Sequence, residues 1–500
     1  MQSTASFHLV AKYTNRAELL QFRDNEFHLV ASTTNRQCRV CCFSSDGKYL
    51  AIGGDDGLVV RDLETGVIDM WPTDSSLISA QFSPSAKYFA ILSQFSHEKC
   101  PQNLTVYEFQ TKTKVFACCQ KNSKWCLQWS DNEQFACISH KGQLKYILTE
   151  PADGVNLAEL STVKCLQSYA LSPNETNFIA TFCRQMNEKT SSVTIQKFDD
   201  SKNLIITVQL NLYNIDECEF KWNYQGTCVL AICQNTNTTK KSYYGESKLF
   251  LIDAVQQVKQ EVCFSNDDES LNISDCNWSP ASDEFCVVFD RSYAAIFDTK
   301  VQRLKNLTCN QAVRNGIQYH SSGEFIALTG SGNIKGNFEI WRRPLDGNSK
   351  SIKPISGQIE IPYATIFRWC LGGHFLLAAT TFPRLRQDNG FHIFNLVGQK
   401  LISVKVDDNN LADVIWSPKF DFTITDTDLN TLLQNLKLSK QEQLKSGEIA
   451  TTPKLTKYIP PHLRGDQNTD QSPLFIEPSP ISNKLKSKKL GKKSLPPGLN

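Results

Sequence analysis

Four groups of side chains in this sequence could bind something by their type and spacing. In the stretch FPRLRQDNGFHIF, residues 382–394, Arg384 and Arg386 have only Leu385 between them, so in extended backbone both guanidinium groups leave one face. Two forked, permanently charged donors side by side suit a phosphate. Pairing with neighbouring acids is the competing use. Asp388-Asn389-Gly390 is turn chemistry between two apolar runs, residues 374–381 and 391–396, which predicts a β-hairpin carrying both arginines. Lys241, Tyr243 and Tyr244 in KKSYYGE place a cation beside two rings, a combination that stacks bases and neutralises phosphates or else packs as the rim of a sheet. Lys335 lies in Gly330-Ser-Gly-Asn-Ile-Lys-Gly336, which has the wrong spacing for a dinucleotide cradle and precedes a strand, so it is expected to be a long hairpin loop. Lys484, Lys486, Lys488, Lys489, Lys492 and Lys493 form the fourth group, near the end of the chain.

Covalent and metal chemistry find no support. There is no Gly-x-x-x-x-Gly-Lys-Ser/Thr phosphate loop, no Gly-x-Ser-x-Gly elbow and no His-x-x-x-His pair. Cys38-Arg-Val-Cys41 is a lone CxxC without a second half, and the 18 cysteines fall within hydrophobic runs, as reduced core thiols would. No secretory signal opens the sequence and no apolar run reaches the ~18 residues of a membrane span, so a cytoplasmic protein with no membrane contact is expected. A binding scaffold is favoured over an enzyme, with no cofactor and as a monomer. The formal net charge of +2 hides an asymmetry: residues 453–500 carry nine Lys/Arg against three Asp/Glu, leaving the rest slightly acidic.

The elements that must position these groups repeat along the chain. An aromatic-Ser-x-x-Gly type of turn followed by an apolar run recurs from Phe43 (FSSDGKYLAI) through Phe82, Trp129, Leu171, Trp222, Trp278, Tyr319, Trp369 and Trp416. These nine copies are spaced by roughly 39 to 56 residues, the range of propeller blades. Alternating strands such as LVVRD at Leu58 and FEIW at Phe338 follow most of them. The reading is all-β, a nine-bladed WD-type β-propeller over residues 1–425. Steady spacing argues against two smaller rings. The ninth copy breaks off after about two strands, residues 414–424, and residues 1–36 contain a duplicated segment, FHLVAKYTNR and FHLVASTTNR, expected to complete that blade and close the ring. Leu429, Leu432, Leu433 and Leu436 mark an amphipathic helix within residues 426–447, and a Pro/Lys-rich tail at 448–500 is expected to be disordered.

KSYYGE at Lys241, GSGNIKGNFEIW at Gly330 and PRLRQDNGF at Pro383 resemble signature stretches of the eukaryotic translation initiation factor 2A family, as do CRVCCFSSDG at Cys38, NLTVYEFQTKTK at Asn103 and WCLQWSDNE at Trp125. The resemblance runs in order from about residue 38 to 420. It implies a translation initiation factor that binds the small (40S) ribosomal subunit and assists delivery of initiator methionyl-tRNA independently of GTP. Possible further partners are mRNA and other initiation factors, the latter through the C-terminal helix and tail. The alternative is a WD-repeat protein-interaction scaffold without direct RNA binding.

Overall fold

The computed structural model describes residues 7–420 apart from short internal segments, the longest being 149–156, 236–245 and 265–271. Residues 1–6 and 421–500 lie outside the described residues, and with them the predicted helix and tail. Nine antiparallel sheets follow one another along the chain. Blades 1 to 8 take residues 38–71, 77–118, 127–159, 166–213, 217–261, 273–306, 316–360 and 366–405, with their strands paired in chain order except that in the seventh both Lys353–Pro354 and Ile359–Glu360 pair with Asn337–Arg342. Blade 9 is built from both ends: Leu411–Phe420 supplies its first strand, and Phe7–Tyr13, Arg16–Arg23 and Glu26–Thr34 supply the other three. The last repeat therefore gives one described strand to its blade where about two were expected. The strand RAELLQFR at Arg16–Arg23 escaped the reading because its buried residues, Ala17, Leu19 and Phe22, break the regular alternation at an irregularity between Leu19 and Leu20, and Leu20 is only partly buried.

Burial explains which strands carried a sequence signal. Second strands such as Phe325–Gly330 and Phe375–Thr380 are buried throughout, because each is covered by a neighbouring blade on both faces. Such strands read as continuous apolar runs. Fourth strands lie at the outer edge, and Val258–Glu261 is wholly exposed, so it left no apolar pattern.

The recurring turn joins first to second strand, and its residue types follow from two hydrogen bonds. The serine hydroxyl oxygen accepts the N–H of the residue opening the second strand, as in Ser83 to Tyr88 at 2.8 Å and Ser172 to Phe178 at 2.9 Å. In five of the copies the N–H of the residue three further on donates back to the carbonyl of the serine, or of the residue replacing it, as in Gly226 to Asn223. That residue takes positive φ, 72° at Gly226, where a Cβ would also stand 2.3 Å from the Pro173 carbonyl of the preceding blade. Glycine there satisfies a left-handed conformation and a close blade-to-blade approach together.

The aromatic that opens the motif ties blades together. Trp222, Trp278, Trp369 and Trp416 each donate the indole N–H to a first-strand carbonyl of the preceding blade, Ala170, Lys221, Gln318 and Arg368, at 3.2, 2.7, 2.9 and 3.2 Å. Each ring packs in the interblade core while its one polar atom finds a partner.

Candidate nucleic-acid interface

Every second-to-third-strand connection leaves the same rim of an up-and-down ring, and so does every link from a fourth strand to the next blade. All three loop segments singled out by residue type belong to this rim. Thr380 pairs with Gly390, closing a hairpin whose loop is residues 381–389. Gly330 pairs with Asn337, so the glycine-rich stretch is a hairpin loop. Asn235 pairs with Glu246 at the base of the third, whose Lys241, Tyr243 and Tyr244 lie outside the described residues, as do the tail lysines Lys484 to Lys493.

Two of the loops meet. The Arg384 guanidinium carbon lies 3.9 Å from where a Cβ on Gly332 would stand, so blades 7 and 8 bring the arginine loop against the glycine-rich loop. Gly332 has φ of 74°, a left-handed conformation that a residue with a side chain would be strained to adopt. Arg384 and Arg386 are both exposed, the first in a turn and the second in a bend. The Arg384 guanidinium lies beside Gly332 and that of Arg386 lies 5.4 Å from the centre of the Phe382 ring. The turn chemistry also falls differently. Positive φ is taken by Asp388, at 54°, while Asn389 is buried. Gly390 is required because a Cβ would stand 2.3 Å from the Val404 carbonyl of the neighbouring strand. Lys335 is paired with Glu360 at 2.6 Å, both largely exposed, a contact worth little to stability and readily exchanged for another anion.

Among the described residues no three His, Cys, Asp or Glu side chains are grouped to hold a metal. Burial pushes the thiols of Cys42 and Cys118 up to about 12 and that of Cys126 to about 11, so they stay protonated and inert at neutral pH. No described helix is long and apolar enough to cross a membrane. Sequence reading passed over a cleft on the same rim at blades 1 and 2, whose signal was the run QFSHEKCPQN from Gln94, an aromatic among polar and basic residues.

A family model described as "Eukaryotic translation initiation factor eIF2A" matches residues 210–419. Eukaryotic translation initiation factor 2A of Schizosaccharomyces pombe is 27% identical over 448 residues, covering 86% of this chain and 74% of its own. The protein of that name from Drosophila melanogaster is 26% identical, covering 87% of this chain and 68% of its own. A crystal structure of a eukaryotic initiation factor superimposes with a TM-score of 0.67 at 23% identity, covering 83% of this chain and 99% of that one, which shows the shared fold.

Proposed function

We propose that this chain, which is similar to eukaryotic translation initiation factor 2A proteins over most of its length, acts in translation initiation by binding the small ribosomal subunit and assisting delivery of initiator methionyl-tRNA without GTP. The observation that carries this reading is the convergence of the loops at Gly332 and Arg384 on one rim, where exposed cations stand on two neighbouring hairpins. Arg384, Arg386 and Lys335 would orient one docked phosphate-rich surface, joined by Lys241, Tyr243 and Tyr244. The tail lysines would add affinity through phosphate neutralisation with little orientation. The work is association, with no covalent step, in the cytoplasm.

The deciding experiment is co-sedimentation with purified 40S subunits alongside filter binding to a random oligoribonucleotide. Arg384→Ala/Arg386→Ala should reduce subunit association while largely sparing weak binding to random RNA. Deleting residues 482–500 should weaken binding to any RNA and flatten its salt dependence. Intact 40S association in a stably folded double-arginine variant would leave those arginines with a local role in their loop.

A further inference from the structure

On the same rim, three blade boundaries away from Gly332 and Arg384, a cleft of about 500 Å³ opens at blades 1 and 2. Ile78 and the Phe95 ring give it an apolar surface, and Arg39, Gln94, Gln120 and Lys121 line the rest. Phe95 sits on the connection between the second and third strands of blade 2, and that loop is pinned at several points. Ser96 and Cys100 exchange both backbone hydrogen bonds, at 3.2 and 3.1 Å, and the Gln94 N–H donates to Ser76 at 2.7 Å. The buried Asn103 amide donates to the carbonyls of Ser93 and Gln120 at 2.8 Å each and accepts the Gln120 N–H at 2.7 Å. One side chain thereby ties the loop bearing Phe95 to the connection bearing Lys121. Walls held this way need little ordering when something binds.

The ring and the cations are arranged around one opening. His97 braces the half-buried Phe95 edge-on, with centroids 4.8 Å apart. The exposed Lys121 ammonium stands 5.8 Å from the ring centre and can uncover its face by a rotamer change. The Arg39 guanidinium is oriented by Gln37 at 2.6 Å and by Asp55 at 3.3 Å, the latter offsetting part of its charge, and the Lys12 ammonium bonds the Arg39 carbonyl at 2.5 Å. Cations alone would suit any anion, and an aromatic surface alone would suit any apolar group. A ring, amides that both donate and accept, and two flanking cations in a cleft of small-ligand size match a heterocyclic base together with its phosphate.

We propose that this cleft takes one unstacked nucleotide of a single-stranded RNA, with the base on Phe95 and the phosphate toward Arg39 and Lys121. The proposal rests on the reading that this rim faces RNA. An acidic peptide would use the cations but leave the ring and amides unmatched.

The test compares binding of the full chain to a labelled single-stranded RNA decamer and to the same ribose-phosphate decamer without bases. Tail lysines see the same phosphates in both, so a preference for bases isolates stacking. The wild type should prefer the base-bearing decamer by about tenfold. Phe95→Leu, which keeps apolar volume and the fold, should reduce that preference severalfold. Lys121→Gln should weaken both decamers and lower the salt slope by about 0.7. A wild type with no base preference, or a folded Phe95→Leu protein that keeps it, would overturn the proposal. Tight binding of a poly-glutamate decapeptide that is lost in Phe95→Leu would overturn it too, assigning the cleft to acidic peptides. Subunit association of the Arg384→Ala/Arg386→Ala protein decides the broader function separately, since those residues lie three blade boundaries away.

Discussion

Leu9 and Leu29 hold the same place in two copies of one sequence, FHLVA, yet Leu9 is fully buried and Leu29 is 60% exposed. The difference comes from position in blade 9. Leu9 lies on the second strand, packed with Leu377, Ile393 and Val414 in one core, and Leu29 lies on the outer strand, facing away from it. Leu9→Ala should therefore cost about 2–5 kcal/mol of stability. Leu29→Ala should change it by no more than about 0.5 kcal/mol. Urea titrations of the two variants check this, and equal midpoints would mean that the copies are interchangeable. Residue types alone could not separate these leucines, because hydrophobicity is a property of the side chain and burial is a property of its neighbours. The same limit applies to the arginines. Arg384 and Arg386 were readable as exposed cations on a hairpin, but the neighbour of Arg384, Gly332, belongs to blade 7, more than forty positions earlier in the chain.

At the scale of elements, the turn and the second and third strands were readable, because each has a local cause. Serine caps the strand through Ser44, Ser83 and Ser130, glycine or a residue tolerating positive φ follows, and a doubly covered strand must be apolar. What the motif's aromatic does was not readable, since the carbonyl it reaches belongs to the preceding blade. Trp278→Phe keeps a ring in the core and removes the N–H that meets Lys221, so it should destabilise the protein by about 1–3 kcal/mol, read as a lower melting temperature. An unchanged melting temperature would reduce the indole bond to a bystander of ring packing. Gly390→Ala tests another element. Its methyl group would collide with the Val404 carbonyl and push the third strand of blade 8, which carries one end of the arginine loop, away from the fourth strand, lowering both stability and 40S association. Full stability with lost association would instead place the effect in the loop alone.

For the whole molecule, closure joins the two ends of the ring. Phe7 pairs with Phe420, the Thr14 N–H donates to the Asn410 carbonyl at 3.0 Å, and Arg16 meets Asp408 at 3.2 Å. Phe7 stacks on Phe22 at 4.6 Å and meets Trp416 and Phe375 at 5.3 Å each, so one aromatic core joins the first and last strands of the ring and blade 8. An incomplete last blade and a duplicated opening strand were enough to predict that the ends meet. The strand Arg16–Arg23 between the copies was not, because its buried residues break the regular alternation. Several fully buried side chains of residues 7–22, at about 1.5–3 kcal/mol each, hold this segment to the rest, and so do two strand pairings. The hold should not depend on the peptide link after Thr34. A protease site inserted there and cleaved should leave the N-terminal fragment co-eluting with the remainder under native conditions and released in urea. Deleting residues 1–36 outright should expose the edge of Leu411–Phe420 and give a less stable, aggregating product. A fragment that falls away after cleavage without urea, from a body that stays monomeric and melts unchanged, would show that the ring stands without its N-terminal strands.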